Sequence, residues 1–157
     1  MSATTILGLD FGERRIGVAL SDSGKIMASG LMTIDCKATA DPLKVLAEII
    51  REERVEAIVV GYPVRTDGKV LPGGKTEAVD AFIAKLEGRF GLPIHREDES
   101  FTSQMAAESL RQRPGGMKKK KRGRGRQGGF REDKAAIDRV AACYILQDHL
   151  DRRGKGP

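Results

Sequence analysis

Four acidic residues stand where a folded chain could bring them together. Asp10 ends a short apolar run near the start of the sequence, and Asp98 and Glu99 follow a later apolar run. Asp138 heads a stripe of small and apolar residues at helical spacing. A carboxylate at the head of an inward-facing stripe is costly to bury unless it is paired or coordinated. These acids are therefore candidates for one shared site.

Carboxylates that cluster in this way predict a metal. They repel one another and ionise together only when a cation neutralises them. Oxygen donors favour Mg²⁺ or Mn²⁺ over zinc. Such ions suit phosphodiester hydrolysis, because they activate the attacking water and stabilise the leaving oxygen. We therefore expect Asp10 to be a ligand of a divalent metal in a nuclease-type active site.

Histidine and cysteine suggest no competing chemistry. His95 and His149 lack a second histidine at metal-binding spacing, so no transition-metal site is predicted. Cys36 and Cys143 stand far apart and belong to no Cys-x-x-Cys motif. We expect both thiols to be reduced and packed in the core.

One basic segment, residues 111–131, carries the excess positive charge. It holds ten Lys and Arg residues and no acid, whereas the rest of the chain has 18 basic and 22 acidic residues, within a total net charge of +6. Glycines interleave these repelling charges, so we expect a flexible arm at about 114–130 that contacts a polyanion. Aromatic residues are nearly absent, which favours phosphate contact over base stacking. The expected contacts are Lys118, Lys119, Lys120, Lys121, Arg122, Arg124 and Arg126.

A sheet that changes direction would position the acids. Apolar runs predict three meandering strands at 5–10, 15–21 and 26–34, then buried strands at 56–61 and 92–96. Helical periodicity predicts helices at about 41–53, 75–90, 102–112 and 133–150. This order is typical of an α/β fold with a mixed five-stranded sheet, three antiparallel strands followed by parallel strands, and helices on both faces. Asp10 and the pair Asp98 and Glu99 would then share one sheet edge.

Four stretches of the chain resemble successive signatures of the YqgF (RuvX) family, in the family's order. They are LGLDFGERRIGVALSD at 7–22, VVGYPVRTDG at 59–68, EDESFTSQMA at 97–106 and DKAAIDRVAACYILQDHLD at 133–151. The first and the last are the specific ones. The resemblance implies an RNase H-like fold and a cytoplasmic nuclease that processes the 5′ end of precursor 16S ribosomal RNA. An older description of the family is a Holliday junction resolvase.

The resemblance also implies particular site residues. Asp10 matches the family's strand-one aspartate, Asp138 matches the aspartate of its last helix, and Glu99 matches the glutamate of its Asp-Glu-Arg-x-Thr motif. These three are the expected catalytic residues and ligands of Mg²⁺ or Mn²⁺. Ser100 replaces the arginine of that motif, which leaves open how this chain holds phosphate there. Asp98 is left as an acid that could share or replace the role of Glu99.

Two further basic residues belong to the same resemblance. Arg14 and Arg15 match the family's basic pair before Ile-Gly. We expect both to contact the nucleic-acid backbone.

Three other functions stay open on the sequence. A Holliday junction resolvase would cut branched DNA as a symmetric dimer. A non-catalytic RNA-binding ribosome-assembly factor would keep the fold without the chemistry. A phosphotransferase of the sugar-kinase type shares the hairpin after Asp10 but needs two such domains, and 157 residues suffice for one. The fragment GGKT at 73–76 lacks the first glycine of a P-loop.

The expected setting follows from these features. No apolar run approaches the roughly 18 residues of a membrane span, and no signal peptide is predicted. We expect a cytoplasmic single domain over residues 1–157, with a short disordered tail at about 152–157. Its expected partner is nucleic acid, with precursor 16S rRNA favoured over branched DNA. The sequence does not distinguish a monomer from a homodimer.

Overall fold

The computed structural model describes residues 3–63, 76–98 and 126–154, and the side chains of the last helix from Lys134 to Arg153. Five strands and three helices lie in these ranges: β1 Thr5–Phe11, β2 Arg15–Ser21, β3 Ala28–Asp35, α1 Pro42–Glu52, β4 Val55–Tyr62, α2 Thr76–Phe90, β5 Ile94–Asp98 and α3 Arg126–Gly154.

The strands form one mixed sheet in the order β3-β2-β1-β4-β5. β1 pairs antiparallel with β2, and β2 pairs antiparallel with β3. β4 pairs parallel with β1 on one side and with β5 on the other. The predicted architecture, antiparallel at first and parallel afterwards, is therefore confirmed. β1 is the central strand, and its carboxyl end shares an edge with the carboxyl ends of β4 and β5.

Two apolar clusters cover the two faces of this sheet. On one face, alternate residues of β1, β2 and β4 pack against α1 and α2, with Leu9, Leu46 and Phe82 among the buried side chains. On the other face, Ile6 and Val59 pack against the apolar stripe of α3. Side chains alternate between the two faces along a strand, so Leu9 packs on the first face and the residues on either side of it point to the second. Helices on both faces were predicted and are confirmed.

Three element bounds differ from the prediction for local reasons. β3 begins at Ala28 because the backbone N–H groups of Ile26 and Met27 donate to the Asp22 carboxylate in the preceding turn, at 2.8 and 3.2 Å. β5 begins at Ile94 because the Pro93 nitrogen has no hydrogen to donate to a strand ladder. Its last residues, Glu97 and Asp98, were expected to follow the strand and instead belong to it.

The last helix is longer than predicted at both ends. α3 begins at Arg126, inside the segment expected to be a flexible arm, and continues to Gly154, past the expected start of the tail at 152. Gly128 and Gly129 lower the intrinsic helix propensity there, which explains the later predicted start. The predicted helix at 102–112 and the arm up to residue 125 lie outside the described residues. None of the helices described has both the length and the apolar character needed to cross a membrane.

Candidate functional site

The carboxyl end of β1 carries Asp10 on the face covered by α3. Leu9 and Phe11, the residues on either side, belong to the opposite face, where the Phe11 ring stacks on Phe82 of α2 with centroids 4.3 Å apart. This stack anchors the end of the strand. Asp10 is half-buried and is paired in register with Gly17 of β2. The strand end thus holds the carboxylate beneath α3.

A tight turn connects Asp10 to the basic pair. The Gly12 N–H donates to the Arg15 carbonyl at 2.9 Å, and a Cβ on Gly12 would lie 2.8 Å from that same oxygen. Only glycine fits this approach, so the turn fixes where β2 begins. Arg14, at the turn, is exposed, whereas Arg15, the first residue of β2, is half-buried. The two arginines, for which the sequence predicts the same role, therefore differ in their exposure to solvent.

A second glycine brings α3 against the same place. A Cβ on Gly17 would overlap the carbonyl oxygen of Asp138, so the helix backbone rests directly on β2 at this residue. Residues paired across an antiparallel ladder point to the same face and have Cα atoms about 4.5–5.5 Å apart. Because Asp10 is the partner of Gly17, it lies on the neighbouring strand and on the face that the Asp138 backbone contacts. Two acids separated by most of the chain therefore lie on the same face, one strand apart.

Asp138 is bound by the arginine that follows the turn. Arg15 donates from Nε to Oδ2 of Asp138 at 2.6 Å, with the two side chains 29% and 22% exposed. Burial nevertheless raises the pKa of Asp138 above the ordinary value of 3.8, although Arg15 and then Lys134 act in the opposite direction. The Arg15 guanidinium therefore does not fully offset the loss of hydration that this carboxylate undergoes on burial. Local sequence patterns do not predict this ion pair, because its members lie on different elements.

The end of β5 contributes acids to the same sheet edge. Asp98 is half-buried and pairs with Tyr62 of β4, about two strand spacings, or about 10 Å, from β1. Its charge helps to raise the pKa of Asp148 on α3, after burial and Asp151. Asp148 lies ten residues beyond Asp138, about 15 Å along the helix. Glu99, the expected third acid, lies outside the described residues.

An ion pair between a buried carboxylate and an exposed arginine lies beside this edge and was not predicted. Glu97 is 5% exposed and pairs with Arg152 of α3, while His149 lies 3.6 Å from its other oxygen. The rings of His95 and His149 are 4.9 Å apart, so two histidines that look isolated in the sequence are neighbours in space. Burial, followed by His95 and Arg153, lowers the pKa of His149 below 6.5. The cluster attaches the end of α3 to β5.

The donors at this edge fit a hard cation only as a partial set. Asp10 and Asp138 supply carboxylate oxygens, which suit Mg²⁺ or Mn²⁺. Within the three described ranges, no group of three His, Cys, Asp or Glu side chains lies close enough to hold a metal ion. The third predicted ligand is Glu99, and the raised pKa of Asp138 is consistent with a carboxylate that lacks a sufficient counter-charge.

The predicted phosphate contacts of the basic arm lie mostly outside the part of the chain that the structure describes. Of the seven arm residues, Lys118 to Arg124 lie outside the described residues, and Arg126 is the first residue of α3.

Cys36 and Cys143 are half-buried free thiols, and burial raises the pKa of each.

Comparison with known proteins identifies close relatives. A model of the RuvX family, described as Holliday junction resolvase, matches residues 4–152. A protein of Syntrophus aciditrophicus is 40% identical over 146 residues, 93% of this chain and 87% of its own length. One from Koribacter versatilis is 42% identical over 149 residues, 95% and 88% of the two chains. Both are named provisionally as pre-16S rRNA nucleases.

Solved structures with the same fold are more distant in sequence. The RuvC of Thermus thermophilus, solved with a Holliday junction substrate, is 16% identical with a TM-score of 0.50 and covers 96% of each chain. The resolvase of fowlpox virus, in complex with Holliday junction DNA, is 10% identical with a TM-score of 0.55, covering 96% of this chain and 99% of its own. These likenesses concern the fold, which is RNase H-like.

Proposed function

Because the chain belongs to the RuvX family, we propose that it is a divalent-metal-dependent nuclease that hydrolyses phosphodiester bonds in RNA, with Asp10, Asp138 and Glu99 as catalytic residues and metal ligands. The proposed substrate is the 5′ end of precursor 16S rRNA, the RNA in the names of the relatives. The proposed metal is Mg²⁺ or Mn²⁺.

One observation carries this proposal. The Asp138 backbone rests on Gly17, the register partner of Asp10, so these two residues from opposite ends of the chain lie on the same face of the sheet, one strand apart. Half-buried carboxylates on one face repel each other, and a bound cation would offset that repulsion. Carboxyl groups with perturbed pKa values cluster at functional sites, which supports this assignment.

Each residue of the proposed site would have a distinct role. Asp10 and Asp138 would hold the metal, with Glu99 as the third ligand, and a metal so held activates water and stabilises the leaving oxygen. The Phe11 stack and the Gly17 contact keep the two aspartates fixed, so little reorganisation is needed during the reaction. Arg14, which is exposed at the turn, is placed to contact a backbone phosphate.

The basic segment would supply affinity rather than chemistry. Phosphate contacts from Lys118, Lys119, Lys120, Lys121, Arg122, Arg124 and Arg126 would be independent of sequence and sensitive to salt. Deletion of residues 117–125, which stops before α3, should weaken RNA binding and reduce the slope of log K against log salt. An unchanged slope would show that the segment does not contact phosphate.

The direct test is cleavage of an RNA that spans the 5′ end of 16S rRNA. Wild-type protein with Mn²⁺ should cut it, and Asp10→Asn should reduce the rate by at least about 10³-fold with an unchanged circular dichroism spectrum. Glu48→Gln is the matched control, because Glu48 is an exposed acid on α1. Its rate should equal that of the wild type.

Two outcomes would replace the proposal. RNA binding without cleavage under Mg²⁺ or Mn²⁺ would identify a non-catalytic assembly factor. Cleavage of four-way DNA junctions with no action on RNA would identify a resolvase, the activity in the family's description.

A further inference from the structure

Arg15 is hydrogen-bonded to an acidic side chain on another element. Its Nε donates to Oδ2 of Asp138 at 2.6 Å, which is the short distance of a charge-assisted hydrogen bond. The Gly12 turn and the pairing of Arg15 with Asp35 of β3 fix the backbone at this point. The contact therefore arises from the fold of the hairpin and not from a chance meeting of two mobile surface chains.

We propose that Arg15 is an exchangeable counter-ion of Asp138 that competes with a divalent metal for this carboxylate, and that Arg15 thereby sets the metal affinity of the site. The inference rests on the proposed function, in which Asp138 is a metal ligand. It assigns Arg15 a role before nucleic acid arrives, in addition to any contact with phosphate.

Competition follows from the atoms involved. Oδ2 of Asp138 accepts from Arg15, so the lone pair that faces the guanidinium is not directed at a metal. A cation that binds the same carboxylate within a few ångströms also repels the guanidinium. A metal that binds through this lone pair breaks or lengthens the Arg15 hydrogen bond, and one that binds through Oδ1 still brings a second positive charge beside the guanidinium. Either way, the cost of the competition is subtracted from the metal's binding free energy.

The arrangement also explains how the fold holds these acids without metal. Asp138 sits in a half-buried position that raises its pKa, and Arg15 is the partner that most opposes this shift. Among the residues that the structure describes, Lys134, one turn earlier on α3, also lowers the pKa of Asp138. Arg139, the next residue of the helix, lies instead over Gly30 of β3, where its Cγ is 3.6 Å from the position of a Cβ.

The test is titration of Mn²⁺ by calorimetry into full-length wild type, Arg15→Gln, Arg15→Lys and Arg139→Gln, without nucleic acid. Arg15→Gln should bind Mn²⁺ about tenfold more tightly, which corresponds to about 1.4 kcal/mol. Arg139→Gln removes an equal charge from a nearby site without breaking the pair, so its affinity should change by less than about twofold. Arg15→Lys keeps the charge and should stay near the wild type.

Thermal melting gives a second measurement that does not depend on activity. Without metal, Arg15→Gln should melt below the wild type, because Asp138 loses its partner. Saturating Mn²⁺ should raise its melting temperature by more than that of the wild type, as tighter binding to the folded state requires.

The outcomes separate the two proposals. Equal or weaker Mn²⁺ binding by a folded Arg15→Gln, beside measurable binding by the wild type, would overturn the role of Arg15 and leave the nuclease intact. Failure of every variant and the wild type to bind Mn²⁺ would overturn the metal-dependent function, and the inference with it. Should Arg15→Gln not fold, Arg15→Met, which keeps the aliphatic packing, would replace it.

Discussion

Replacing Gly17 by alanine should separate Asp138 from Asp10. The new Cβ would overlap the Asp138 carbonyl oxygen and lie 3.2 Å from the Arg139 nitrogen. Both are backbone atoms, so no change of rotamer relieves the clash. α3 must retreat by about 1 Å, the scale of misplacement that costs about 10²-fold in rate at an active site.

The size of the effect on stability follows from the same contact. Overpacking a well-packed interface costs about 1–3 kcal/mol. In a domain of this size each kcal/mol lowers the melting temperature by about 2–4 °C. Gly17→Ala should therefore melt about 2–12 °C below the wild type and cleave the precursor RNA about 10²-fold more slowly. Circular dichroism melting and single-turnover cleavage measure the two quantities.

Gly30→Ala is the matched control. It makes the same substitution on the neighbouring strand beneath the same helix, but its Cβ would lie 3.6 Å from the nearest atoms of Arg139, an ordinary contact. Its melting temperature and rate should stay close to those of the wild type. Were Gly17→Ala to behave like Gly30→Ala in both assays, the close approach at Gly17 would not be what holds the two aspartates together.

Three further changes should have measurable effects on stability. Asp138→Asn should raise the melting temperature of metal-free protein at pH 7 but not at pH 3. Burial raises the pKa of Asp138 in the folded state, so the ionised carboxylate destabilises the fold as pH rises through that value. His149→Gln should reduce the loss of stability that the wild type shows as pH falls below 6.5, since burial lowers the folded pKa of His149 and protonation favours the unfolded chain. Gly88→Ala should raise the free energy of unfolding by up to about 1 kcal/mol, because Gly88 is exposed in α2 and an added Cβ would meet no atom within 4 Å; chemical denaturation measures it.

The sequence predicts most of the sheet because apolar runs report burial directly. β1 and β4 read as continuous apolar runs, and they are the central strands, covered on both faces. Asp10 and Asp138 could be nominated because each stands at a position where a charge is unusual: the end of a buried strand and the head of an apolar stripe. That Asp10 and Asp138 lie on the same face could be learned only from the structure, because it depends on how closely α3 approaches Gly17.

Contacts between distant elements explain what sequence patterns missed. β5 was predicted to stop before Glu97, since an acid breaks an apolar pattern. In the fold Glu97 is buried, and Arg152, more than fifty residues later, supplies its counter-charge. The same holds for Arg15, which looks like a surface cation until α3 brings Asp138 to it. Local periodicity contains no information about either partner.

The docking of α3 also has a consequence for the timing of folding. Arg15 and Asp138 are 123 residues apart, and Thr33 of β3 donates to the Ala135 carbonyl across 102 residues. Such long-range contacts form slowly, and a chain made from its N-terminus completes them last. On the ribosome, Asp10 and Asp138 can come together only after α3 has emerged. Nuclease activity would therefore begin only once α3 has been synthesised and has docked on the sheet.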